Sequence, residues 1–190
     1  MTKSTVIGVD PTLLDGTVSN IGALPLVSLD EGAISGVTVG SLDFTPFHGF
    51  TVKYHAVDSA TVSSIAIAAD TVIDACACTD STIGSISLPS IASVADGAFN
   101  RCHFDCLKLP SLSDLTNTSR KFTNCTASHI KFANVDFMPA YALSGLSVKS
   151  IGLNFTDDAL VEQNAFAGIS GLAEVQITGI KRMAKASGCF

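Results

Sequence analysis

The stretch Ser85–Cys102 reads SISLPSIASVADGAFNRC. It opens with an apolar-x-apolar pair closed by proline, passes through a short polar bend, and ends in Ala-Phe-x-x-Cys. It is too short to be a domain, so the question is whether it recurs. Apolar-x-apolar pairs do recur, at Leu42/Phe44, Ile65/Ile67, Ile86/Leu88, Leu107/Leu109, Ile130/Phe132, Ile151/Leu153 and Val175/Ile177. Their first members lie 23, 21, 21, 23, 21 and 24 residues apart. A period in this range is the mark of a stacked-repeat architecture.

A second marker keeps step with the first. Phe99 and Leu143 follow their strand starts by 13 residues, and Phe122 and Phe166 follow theirs by 15. Three residues further on stand Cys102, Leu146, Cys125 and Ile169. Each unit is therefore a short strand, a bend, and an apolar segment that brings the chain back. One unit cannot bury its apolar edge, whereas a stack of units builds a continuous core. In such a stack each strand pairs in parallel with the next, about 4.8 Å away. The expected fold is a repeat solenoid of 21–24 residues per coil, with short parallel strands stacked into one sheet and little helix.

The order Ile-x-Leu-Pro-x-x-Ile-x-x-Val-x-x-x-Ala-Phe-x-x-Cys resembles the BspA-type leucine-rich repeat. Ile86–Cys102, Leu107–Cys125 and Ile151–Ile169 carry the resemblance best, and it extends over roughly residues 36–177. It implies a curved, leucine-rich-repeat-like solenoid with a parallel sheet on one face, a role in adhesion or protein recognition, and no catalysis. In residues 36–80 the pattern is looser, with Cys76 expected in the slot of Phe99, 23 residues earlier. Residues 1–35 fall outside the period and read as an N-terminal cap or an arm that attaches the chain to another subunit. Residues 178–190 read as a C-terminal cap or tail.

Composition narrows the partners. The net charge is −6, against a general nucleic-acid binder, which needs a basic face. Residues 1–100 hold two bases and ten acids; residues 101–190 hold nine bases and seven acids. A basic cluster stands at Lys181, Arg182 and Lys185. No stretch approaches the ~20 apolar residues of a membrane-spanning helix. The opening MTKSTVIGVDPTLLDG has no long apolar core behind a basic start, as a secretory leader would. A cytoplasmic or particle-borne protein is expected, at a cell surface only if a leader has been removed. The six cysteines then read as reduced thiols. The sequons at Asn117, Asn124 and Asn154 have meaning only in a secretory pathway.

Neighbours of an inward strand residue point outward. The exposed positions are then Ser85/Ser87, Cys106/Lys108, His129/Lys131, Ser150/Gly152 and Glu174/Gln176. Lys108, His129, Lys131 and Gln176 form the candidate binding face, with a basic spot suited to an acidic partner. The alternative is that its lysines only keep a sheet face soluble. Cys102, Cys106, Cys125 and His129 have a spacing that suggests zinc. The repeat phase instead points Cys102 and Cys125 inward and Cys106 and His129 outward. His48, His55 and His103 have no partner at a useful spacing, and Asp157-Asp158 reads as a turn or cap. No nucleophile elbow, phosphate-binding loop or zinc-protease motif occurs. No cofactor, metal or catalysis is expected. Two functions remain: a recognition or adhesion module for a protein or glycan surface, or a structural part of a virus or phage particle attached through residues 1–35.

Overall fold

The computed structural model describes residues 28–89, 94–111 and 121–179, with the side chains of residues 110, 111, 157 and 158 excepted. Residues 1–27, the Asn117 sequon, the Lys181–Lys185 basic cluster and Cys189 lie outside the described residues. The first coil runs through three short strands, β1 (Ser28–Leu29), β2 (Ile34–Ser35) and β3 (Thr38–Asp43). The second repeats them as β4 (Thr51–Val52), β5 (Val57–Asp58) and β6 (Thr61–Ala66). The third does so as β7 (Val72–Ile73), β8 (Cys78–Thr79) and β9 (Thr82–Ser87). Later coils supply β10 (Phe99–Asn100), β11 (His103–Ser111), β12 (Phe122–Thr123), β13 (Thr126–Met138), β14 (Ser147–Val161) and β15 (Glu174–Thr178).

All pairings are parallel, and each strand pairs with its equivalent one coil away. The fold is a parallel β-solenoid. The long strands form the expected sheet, seven-stranded in the order β15-β14-β13-β11-β9-β6-β3. It is not alone: a five-stranded sheet, β12-β10-β8-β5-β2, and a three-stranded one, β1-β4-β7, give the coils three sides. The bends that read as irregular in the sequence are two-residue strands, too short to show a period of two. Stacking also takes in Ser28–Ser35, ahead of the expected start at residue 36.

The core is a set of columns. Ile86, Leu88, Leu107, Leu109, Ile130, Phe132, Ile151 and Leu153 are all buried, as their spacing predicts. In the second column Phe99 pairs with Phe122, and their rings stack at 5.1 Å and 4°, with Phe104 edge-on to both. Beside it Ala33, Ala56, Ala77, Ala98, Ala142 and Ala165 are buried, small enough for the chain to turn tightly there. Lys121 occupies this slot one coil after Ala98; it is half-buried, and its Nζ donates to the Val94 carbonyl. The residue opposite Phe99 in the preceding coil is Cys78, 21 residues back, rather than Cys76. At the other end of the stack the pattern opens out: Val175 is half-buried and Ile177 is exposed, since among the described residues β15 has a strand neighbour on one side only.

Two features were not visible as periodicity. Within each strand of the seven-stranded sheet except β15, two inward residues are separated by two others, as in Val39/Leu42 and Ile83/Ile86. The kink between them is stacked from coil to coil. At Gly84 a Cβ would lie 2.4 Å from the Ser63 carbonyl oxygen, so only glycine fits there. The corners, in turn, place residues in the left-handed region. His55 and Cys76 stack on Gly97 at one corner, and Ser59, Asp80, Arg101 and Asn124 line the next. Each non-glycine residue there costs about 1–2 kcal/mol. Inter-coil hydrogen bonds offset that cost, such as His55 N–H to Cys76 O at 2.8 Å and Cys76 N–H to Gly97 O at 2.9 Å. Arg101 adds a two-pronged pair to Asp80, both contacts at 2.6 Å.

Because Phe99 is fully buried between Phe104 and Phe122, Phe99→Ala should lower unfolding free energy by about 3–5 kcal/mol. Urea titration checks this; a loss below about 1 kcal/mol would contradict the aromatic column.

Candidate functional site

The outward side chains of the seven-stranded sheet are set by its register. One row runs Cys106, His129, Ser150, Glu174; the next runs Lys108, Lys131, Gly152, Gln176. Each of these residues is half-buried or exposed, as alternation predicts. The four candidate residues gather around Lys131. His129, Lys131 and Gln176 line a depression of about 430 Å³ whose floor lies over Gly152. Lys108 and Lys131 line an adjoining one of about 470 Å³, edged by Leu88, Pro89, Phe132 and Asn154. Lys131 is the shared wall. Gly152 matters because its missing side chain leaves a gap between Lys131 and Gln176.

Local hydrogen bonds fix the polar groups. His129 Nδ1 lies 2.6 Å from Ser150 Oγ on the next strand. Gln176 Nε2 donates to Glu174 Oε1 at 2.8 Å. Asn154 Nδ2 donates to the Ala133 carbonyl at 3.0 Å, and its Oδ1 accepts from Thr178 Oγ1 at 3.1 Å. Glu174 and Asn154 were missed as site residues. Asn154 continues the outward alternation two residues beyond Gly152, and that continuation was the available signal.

The histidines correct an expectation. His48 Nδ1 lies 3.4 Å from Asp70, His103 Nε2 lies 3.4 Å from Asp105, and His55 Nδ1 lies 3.7 Å from Asp58. Stacking accounts for the first, which joins adjacent coils; the other two are local contacts between residues two and three apart in the chain. Asp70 is held below the usual carboxylate range, first by the Gly49 N–H, then by its own N–H, with His48 adding to both. Near His55, Thr79 Oγ1 donates to Asp58 and lies 3.5 Å from the imidazole. These are the residue types of a nucleophilic triad, but Thr79 is 1% exposed, so its oxygen ties two coils together and no substrate carbonyl can reach it.

The cysteines divide by side. Cys78, Cys102 and Cys125 are buried, while Cys76 and Cys106 are half-buried. Cys102 and Cys125 point into the core and Cys106 and His129 out of the sheet, so those four side chains do not converge on one point. Among the described residues no cluster of three metal-ligating side chains occurs. Burial pushes the Cys78 thiol well up, and the neighbouring Cys102 adds to the shift. Contact with the Cys102 sulfur, reinforced by burial, likewise holds the proton on Cys125.

No family model, curated protein or solved structure matches the chain. The class to which it belongs is therefore given by its geometry: a parallel β-solenoid with a polar, partly basic outer sheet face.

The buried thiols set a pH dependence. Their folded values are raised, so their stabilisation is complete below the unfolded thiol value, near 8.5, and is lost as pH rises towards the folded values. The unfolding free energy from urea titration should fall above about pH 9, by up to about 1.4 kcal/mol per pH unit for each thiol. A Cys78→Ala/Cys125→Ala variant should show a flatter profile; an unchanged slope would contradict the assignment. In the native protein a thiol reagent should label Cys106 and Cys76 well before Cys102 and Cys125, read by peptide mass.

Proposed function

We propose that this protein is a non-catalytic recognition module that binds a protein or glycan surface through the outer face of its seven-stranded sheet. One observation carries this reading: Lys108, His129, Lys131 and Gln176 surround two adjoining depressions that share Lys131. The rigid core beneath holds these side chains in fixed register, so binding needs little ordering of the backbone. The resemblance to BspA-type repeats agrees with adhesion as the biological setting.

Gly152→Trp tests the reading. A Cβ at this position would meet Lys131 Cγ at 3.7 Å and the Ile130 carbonyl oxygen at 3.9 Å, both ordinary contacts. The new ring would therefore fill the depression rather than enter the core. On an array of purified surface proteins and glycans, the variant should keep its fold by circular dichroism and lose binding by about tenfold or more. If it binds every ligand as the unaltered protein does, the face is not the recognition site.

A second reading, a structural part of a virus or phage particle, is favoured by the outer edge of β15. That edge has no strand partner among the described residues, and exposed Ile177 lies on it. Unpaired edges of this kind invite pairing with another chain. Light scattering of the full-length chain separates the two. A 19.6 kDa monomer supports the free module, and a discrete oligomer supports the building block.

A further inference from the structure

Lys108 and Lys131 stand directly opposite each other on adjacent parallel strands. Like charges in that arrangement destabilise a sheet. Of the other described cations, Lys53 contacts Asp30 at 2.6 Å and Arg101 contacts Asp80, whereas Lys121 donates to the Val94 carbonyl and Lys149 takes part in no ion pair among the described residues. Among the described residues neither Lys108 nor Lys131 takes part in an ion pair. Two exposed lysines thus project from neighbouring positions that line one depression, where a bound anion would relieve their repulsion. Beyond Lys131 the chemistry changes. Over Gly152 the lining groups include the His129 imidazole, the Ser150 hydroxyl, the Glu174 carboxylate and the Gln176 amide. These groups suit neutral hydroxyls, and Glu174 would repel a second anion.

We propose that this face binds an acidic saccharide, with a carboxylate over the Lys108–Lys131 pair and the hydroxyls of a neighbouring neutral sugar against Ser150, Glu174 and Gln176. This assignment rests on the recognition reading above and names its ligand class. A peptide fits less well. Peptides add to a free sheet edge or plant side chains in apolar pockets. Here β11, β13 and β14 are paired on both sides, and the depressions are open: Leu88, Pro89 and Phe132 edge the Lys108–Lys131 one, and polar side chains stand among the lining of the other. A nucleic-acid strand would want aromatic platforms for its bases. The exposed tyrosines, Tyr54 and Tyr141, do not line these depressions.

The test uses a tetrasaccharide alternating glucuronate with N-acetylglucosamine, titrated into the full-length protein by calorimetry at low and high salt. Neutral chitotetraose and a tetraglutamate peptide are the comparators. The acidic tetrasaccharide should bind more tightly than either comparator by about tenfold, and more weakly at high salt. Lys108→Gln/Lys131→Gln should lose about tenfold while melting at the same temperature or above, since a like-charge pair has been removed. Three results would overturn the proposal: no binding of the acidic tetrasaccharide, equal binding by the double variant, or tetraglutamate binding as tightly. If the tetrasaccharide fails while Gly152→Trp still abolishes binding to another array ligand, the saccharide assignment falls and the recognition reading stands. If Gly152→Trp leaves all array binding intact, the recognition reading falls with it.

Discussion

In-register stacking of inward side chains is the constraint on which everything else depends. A two-residue strand such as Phe99–Asn100 could not persist alone. It exists because Phe99 meets Cys78 on one side and Phe122 on the other. Each large buried side chain is worth roughly 1.5–3 kcal/mol, and the same contact that buries it also aligns the backbone ladder. Hydrophobic burial and hydrogen bonding are therefore satisfied by a single geometric condition, equivalent residues one coil apart. The strained corners follow from it. His55, Cys76 and Arg101 tolerate left-handed backbone because the coils on either side fix where their N–H and C=O groups must point.

The same condition shapes the outer face. Once Leu107, Ile130 and Ile151 are committed to the core, Lys108, Lys131 and Gly152 have no freedom but to form a row. The site is thus a by-product of core register. Its basic pair, its gap and its polar far end come from four successive coils, none of which has a site by itself. This differs from loop-borne recognition, where a flexible segment must be ordered on binding.

Much of this was legible in the sequence, and what was not has physical causes. Alternation at Ile86/Leu88 and its equivalents fixed inward and outward sides, so the exposure of Lys108, His129, Lys131 and Gln176 could be read directly. Phe99 and Phe122 declared their column by size. Two of the three sheets could not be read, because their strands are two residues long and carry no alternation. Cys76 was put in the Phe99 slot because coil lengths vary between 21 and 23; the structure puts Cys78 there, and Cys76 at a left-handed corner. Ala-Phe is visible as a pair in the sequence, but Lys121 breaks the alanine column, and only the register with Ala98 reveals it. The histidine–aspartate contacts at His48 and Asp70 join residues of adjacent coils, a relation that needs the stack before it can be seen.

The seven-stranded sheet also acts as a ruler. Each coil contributes one side chain to every outward row, and successive side chains are set about 4.8 Å apart by the backbone ladder. Thr38, Thr61 and Thr82 mark one such row at the N-terminal end, just as Lys108 and Lys131 mark another further along. Any polymer lying along a row meets identical spacings regardless of which residues occupy it. Length and composition of the row can then vary independently: adding a coil lengthens the ruler by one division, and substituting an outward residue relabels a division without moving the others.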